Sequence, residues 1–330
     1  MNAAQIIRLA LFQADAVNQD DTTDPLFRLP ELLAWATDAA WAAEAALHKA
    51  KEDYGMIVVQ SNDTAYRWCG VTYDPSVLQL STTSDRISLP PDLLTLKSIR
   101  CITSGYEDII TFREVDMSGQ EFKDGQAYAT GGSTIDGELL YDIVGDNTLI
   151  LAYPPTTTVD IEISYISRSA PLQIYSTGTV SLTQGAATVS GGSTEWVINE
   201  ARNTMELIVS ADATAPKVVS QTTGGTWVDP SAIYPAVQTI DSDSALTLTG
   251  AWLKASAPGV GYSLATVPQL PPEHHAQIVD ALVARIKGKA ENKTSDAYAK
   301  LAAKESERMI SDVTERQLDT PRIVIDHVAG

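Results

Sequence analysis

Apolar residues recur every three or four positions at the start of the chain. In residues 3–15 they are Ile6, Ile7, Ala10, Leu11 and Ala14, which predicts a short helix. The polar, turn-rich run QDDTTDPLFRLP follows. Pro30 then opens a longer helix at its first position, where the missing N–H costs nothing. Leu32, Leu33, Ala36, Ala39, Ala40, Ala43, Leu47, Ala50 and Tyr54 form one stripe, and Gly55 supplies the stop. A stripe so rich in alanine predicts close approach to another helix. Trp35 and Trp41 fall on well-separated faces, which leaves at least one of these rings for a neighbouring subunit, a partner or a local packing role.

From residue 66 to 168 the period shortens to two. YRWCGVTYD, VLQLSTT, RISLPPDLL, KSIRCITS, IITFREV, GELLYDIVGDNTLILAY and VDIEISYIS read as short strands, with Val144-Gly145-Asp146-Asn147-Thr148 as a hairpin turn. YATGGSTIDGE reads as a loop. Residues 178–266 alternate more finely still: Val180 and Leu182, Val189, residues 205–209, Ile240, Leu246 and Leu248, and Tyr262 and Leu264 mark strands between Gly- and Asp-rich turns. A helix returns at Pro272, with Ile278, Val279, Leu282, Val283 and Ile286 on one face. A last helix is predicted from Ser295 to Leu318.

These periods predict an α+β protein: a helical bundle with a small antiparallel β unit, plus an inserted all-β sandwich or barrel domain. The predicted division is 1–175 with 267–318 as the core, 176–266 as the insertion, and 319–330 as an extended tail. Excising 176–266 would join VDIEISYISRSAPL to VPQLPPEHH as a plain strand–loop–helix connection, as expected of a module placed in a surface loop.

Composition narrows the function. The 330 residues carry 44% hydrophobic and 20% charged positions, the balance of a folded chain. No apolar run of about 18 residues predicts a membrane span, and the N-terminus lacks the basic region of a signal peptide. The net charge of −19 disfavours a protein that grips phosphates. Cys69 and Cys101 read as free thiols of a protein made in a cytosol.

Little in the sequence asks for catalysis. His274 and His275 are adjacent, so their side chains diverge by about 100° on a helix, and no partner stands four residues away. They read as solvated first-turn residues. Glu107-Asp108, Glu114 and Asp116, and Glu121 and Asp124 read as an acidic solvated face. The two GGST runs lack the lysine of a phosphate loop. The expectation is a non-enzyme with no catalytic residues, cofactor or metal.

The order of elements carries a resemblance. LPELLAWATDAAWAAEAAL at 29–47, SDRISLPPDLLTLKSIR at 84–100 and LPPEHHAQIVDALVARI at 270–286 follow one another as in the head-to-tail adaptor (connector) proteins of tailed bacteriophages, particularly the short-tailed type. The resemblance implies a structural virion protein at the head–tail interface, made in the host cytoplasm. It implies a ring of about twelve copies between the portal protein and a tail nozzle or tail tube protein, through which double-stranded DNA passes without specific binding. It also implies that the tail docks on the portal, which makes Arg322, Ile323, Val324, Ile325, His327 and Val328 the expected portal-binding residues. Residues 176–266 depart from the simplest adaptors and are expected to hold tail fibres or capsid.

A second reading is a tail-associated carbohydrate-binding or depolymerising protein, with Trp196, Trp227 or Trp252 as sugar-stacking platforms. A third, a cytosolic helical scaffold, leaves the apolar tail unexplained.

Overall fold

The computed structural model describes residues 1–16, 27–51, 54–69, 71–130, 137–145, 147–198, 201, 204–210, 212–219, 226–290, 299–300, 302–304 and 307–308. Most of the predicted helix at 295–318 and the whole tail at 319–330 lie outside them. The chain forms two compact units, residues 1–52 with 171–330, and residues 53–170.

The first unit begins with α1 (Ala3–Gln13) and α2 (Leu29–Ala50). Asn2 caps α1: its side chain accepts the Gln5 N–H while the Gln5 side chain accepts the Asn2 N–H. The 53–170 unit contains β1 (Met56–Gln60), β2 (Tyr66–Trp68), β3 (Val71–Tyr73), β4 (Gln79–Leu80), β5 (Arg86–Ser88), β6 (Leu93–Cys101), β7 (Thr111–Glu114), α3 (Gln120–Thr130), β8 (Glu138–Val144), β9 (Thr148–Leu151) and β10 (Val159–Ser167). The first unit then resumes with β11 (Ile174–Tyr175), β12 (Thr179–Leu182), β13 (Thr188–Gly192), β14 (Met205–Val209), β15 (Val237–Ser242), β16 (Ala245–Leu248), β17 (Ala257–Val260), β18 (Tyr262–Thr266) and α4 (His275–Lys289).

The described chain is therefore mostly β, and the expected helical-bundle core is corrected. The helical periods of α1, α2 and α4 were legible, but periodicity does not reveal what an apolar stripe meets. These helices do pack on one another, and Lys289–Glu31 and Arg285–Asp38 pairs fix α4 antiparallel to α2. They form a layer beside a β-sandwich. β18 shows why: all five of its residues are buried, because Tyr262 and Leu264 face the sandwich core while α1 packs against the same strand. Covered on both faces, β18 buries even its polar residues Ser263 and Thr266.

The sandwich pairs a five-stranded sheet, β15-β16-β13-β12-β17, with a three-stranded sheet, β11-β18-β14, around one core. Trp196 lies fully inside it. Its Nε1–H donates to Tyr262 Oη at 2.8 Å, and Tyr262 donates onward to the Thr177 carbonyl at 2.7 Å. Gly191 is required beside it, since a Cβ there would stand 2.9 Å from the Trp196 ring and 2.2 Å from Thr194 Oγ1.

The 53–170 unit holds its own core between two sheets. One is β1-β10-β4 with β6 on the other side of β10; the other is β5-β9-β8-β7. The expected purely antiparallel unit is corrected as well. β7 and β8 run parallel, and α3 supplies the crossover that parallel strands need. Within α3, a Cβ on Gly125 would stand 3.2 Å from Ala152 Cβ, so the helix lies close against the residues after β9.

Candidate functional site

The histidines weighed for chemistry in the sequence and read as solvated are held in structural contacts. His275 is buried: its ring takes a 2.9 Å bond to the Leu270 carbonyl through Nε2 and lies 2.9 Å from the Met1 nitrogen through Nδ1. The carbonyl accepts, so Nε2 carries the proton and Nδ1 is an acceptor. Burial, reinforced by the positive Met1 nitrogen, lowers the His275 pKa below 6.5. His274 is buried too, so the expectation of two solvated first-turn histidines is corrected. Spacing along the helix shows neither their burial nor the approach of the Met1 nitrogen from the far end of the sequence.

Several of the acidic residues have partners. Glu121 and Glu138 both pair with Arg113, Asp116 accepts the Ser118 N–H at 2.7 Å, and Asp124 accepts from Gln120 at 2.7 Å. Among the described residues no group of His, Cys, Asp or Glu could hold a metal ion. No described helix is long and apolar enough to cross a membrane.

Trp35 and Trp41 are half-buried on α2. The Trp35 carbonyl accepts from Arg285 Nη1 at 3.3 Å, and Lys289 Nζ stands 5.7 Å from its ring, so Trp35 borders the α2–α4 seam. Of the three tryptophans offered as sugar platforms, Trp196 and Trp252 are buried. Trp227 is half-buried, with the Arg8 guanidinium 3.9 Å from its ring. Arg322, Ile323, Val324, Ile325, His327 and Val328 lie outside the described residues.

What the structure does display is a sheet whose edges are free among the described residues. β10 sits centrally, with β1 on one side (Val58 opposite Ser164) and β6 on the other (Ile163 opposite Ile99). The inward face buries Val59, Ile161, Ile163 and Tyr165. The outward face is tied by a cross-strand ladder in which Glu162 accepts from Gln60 Nε2 at 2.6 Å and pairs with Arg100 Nη2 at 2.8 Å. Among the described residues neither β1 nor the whole length of β6 has a second strand on its far edge. On β1, Met56 is 44%, Ile57 37% and Val58 48% exposed.

Beside the start of β6 runs a groove of about 680 Å³, lined by residues 93–96 together with Trp68, Glu114, Ile143 and Arg168. A buried polar knot anchors its rim. Asp92 accepts from Tyr66 at 2.8 Å and from Tyr165 at 3.1 Å, and its carbonyl accepts the Arg168 N–H at 2.7 Å. Burial raises both tyrosine pKa values above 10, so both hydroxyls stay protonated donors. The sequence signal for the free edges was weak. MIVVQ precedes the first predicted strand, and an unpaired edge is a property of non-local pairing.

No family model matches this chain, and no curated protein matches it.

Proposed function

We propose that this protein is a non-enzymatic structural subunit of the head–tail connector of a tailed bacteriophage, assembling as a ring between portal and tail. The observation that supports an assembling role best is the β1-β10-β6 sheet, whose edges carry no further strand among the described residues and whose β1 presents three consecutive apolar residues to solvent. Exposed edges of this kind invite pairing with another chain, and folded proteins otherwise blunt or cover them. A heterologous ring consumes such surfaces, because each copy offers one patch and receives another.

The connector assignment itself rests on the resemblance of the three ordered segments. Two of them, at 29–47 and 270–286, contain most of α2 and α4, which lie antiparallel and joined by ion pairs. The net charge of −19 suits a passage from which duplex DNA must slide freely. The carbohydrate reading loses two of its three stacking platforms to the sandwich core.

Quantitative mass spectrometry of purified virions from a phage carrying this gene tests the proposal. It expects the protein in the particle at a fixed stoichiometry to portal, close to one copy per portal subunit. Absence from the particle, or a few copies in fibre-like proportion, overturns it.

A further inference from the structure

The groove along β6 is met by the strand's edge: four consecutive residues, 93–96, line it, and alternate side chains of a strand cannot all face one side. Among the described residues, backbone bonds of residues 94–100 run only to β10. The groove thus offers an unused hydrogen-bonding edge, apolar walls from Trp68 and Ile143, and one exposed charge of each sign, Glu114 and Arg168. A strand laid here meets apolar walls and one charge of each sign, so apolar side chains flanked by a cation and an anion complement it.

The sequence of this chain contains such a segment. Arg322-Ile323-Val324-Ile325-Asp326 places a cation and an anion four residues apart, about 13 Å in extended conformation, around three β-branched residues. Pro321 just before it lacks the N–H a ladder needs and sets its beginning.

We propose that residues 322–326 of a second copy add as a strand to the free edge of β6, with Asp326 against Arg168 and Arg322 against Glu114. Donation from copy to copy rests on the ring reading given above; the complementarity of groove and segment does not. Main-chain bonds to β6 supply the affinity, and the two charges fix direction and register.

The test uses the full chain with a photo-crosslinking phenylalanine derivative at position 324, mixed with isotopically heavy full chain, with and without portal. The proposal expects crosslinks from the light position 324 to heavy residues 93–96. Arg168→Glu in the heavy chain should lower their yield about five-fold, and adding Asp326→Lys to the light chain should restore it. Crosslinks only within one chain, only to portal, or to other surfaces overturn the proposal. So do an absence of crosslinks and a yield indifferent to Arg168→Glu. Portal capture scored in the same mixture reads the connector assignment separately.

Discussion

Replacing Trp196 with alanine separates a packing role from a binding role. The side chain is fully buried, stands edge-on to Tyr262 at 6.0 Å between ring centroids, and donates the 2.8 Å bond to the Tyr262 hydroxyl. Removing a large buried aromatic costs about 3–5 kcal/mol, and the close packing around Gly191 leaves little room for the site to collapse, so the upper half of that range is expected. Trp196→Phe keeps most of the volume but deletes the donor, for about 1–2 kcal/mol. Against a domain stability of roughly 5–15 kcal/mol, the alanine variant should be close to unfolding at physiological temperature. Urea titration followed by circular dichroism measures this, with the slope checked to be unchanged between variants. A loss below about 1 kcal/mol for Trp196→Ala, at constant slope, would refute the assignment of this ring to the core.

Three further outcomes follow from the geometry. The His275 pKa is lowered in the fold, so the unfolded chain binds the extra proton; stability is full above pH 6.5 and falls as the pH drops below it, by up to about 1.4 kcal/mol per pH unit. A pH series of urea midpoints should show this slope, and His275→Gln should flatten it. Tyr165→Phe removes one of the two hydroxyls on buried Asp92 and should lower the stability of the 53–170 unit by about 1–3 kcal/mol, read as faster amide exchange in β6 and β10. Val58→Lys, at an exposed edge position, should change stability by less than about 0.5 kcal/mol while abolishing assembly, measured by mass photometry with portal.

Local signals carried much of the secondary structure. The apolar stripe on α2, the proline that opens it and the face of α4 were legible because they depend on neighbours three and four residues away. The alternation in residues 178–266 likewise marked strands, which the structure forms as β12 to β18. What escaped depends on distant partners. The cap Asn2 and, within α1, Gln5 and Arg8 are buried as thoroughly as Leu11; Asn2 meets Glu206 at 2.7 Å and Gln5 meets the Ala232 carbonyl at 2.7 Å. No local pattern predicts that these polar residues are buried. α3 escaped because its polar sequence ends in a run that reads as a loop, and the parallel β7–β8 pair escaped with it. The candidate assembly edge was invisible for the same reason: MIVVQ states that a strand is apolar, not that one of its sides is left open.

Electron microscopy of the purified protein with and without the portal protein of a phage carrying this gene tests the connector proposal most directly. The account predicts mainly monomers alone and, with portal, particles capped by a ring of about twelve copies that disappears with Val58→Lys. Portal particles that stay bare at saturating protein, or caps that form equally well with Val58→Lys, would contradict it.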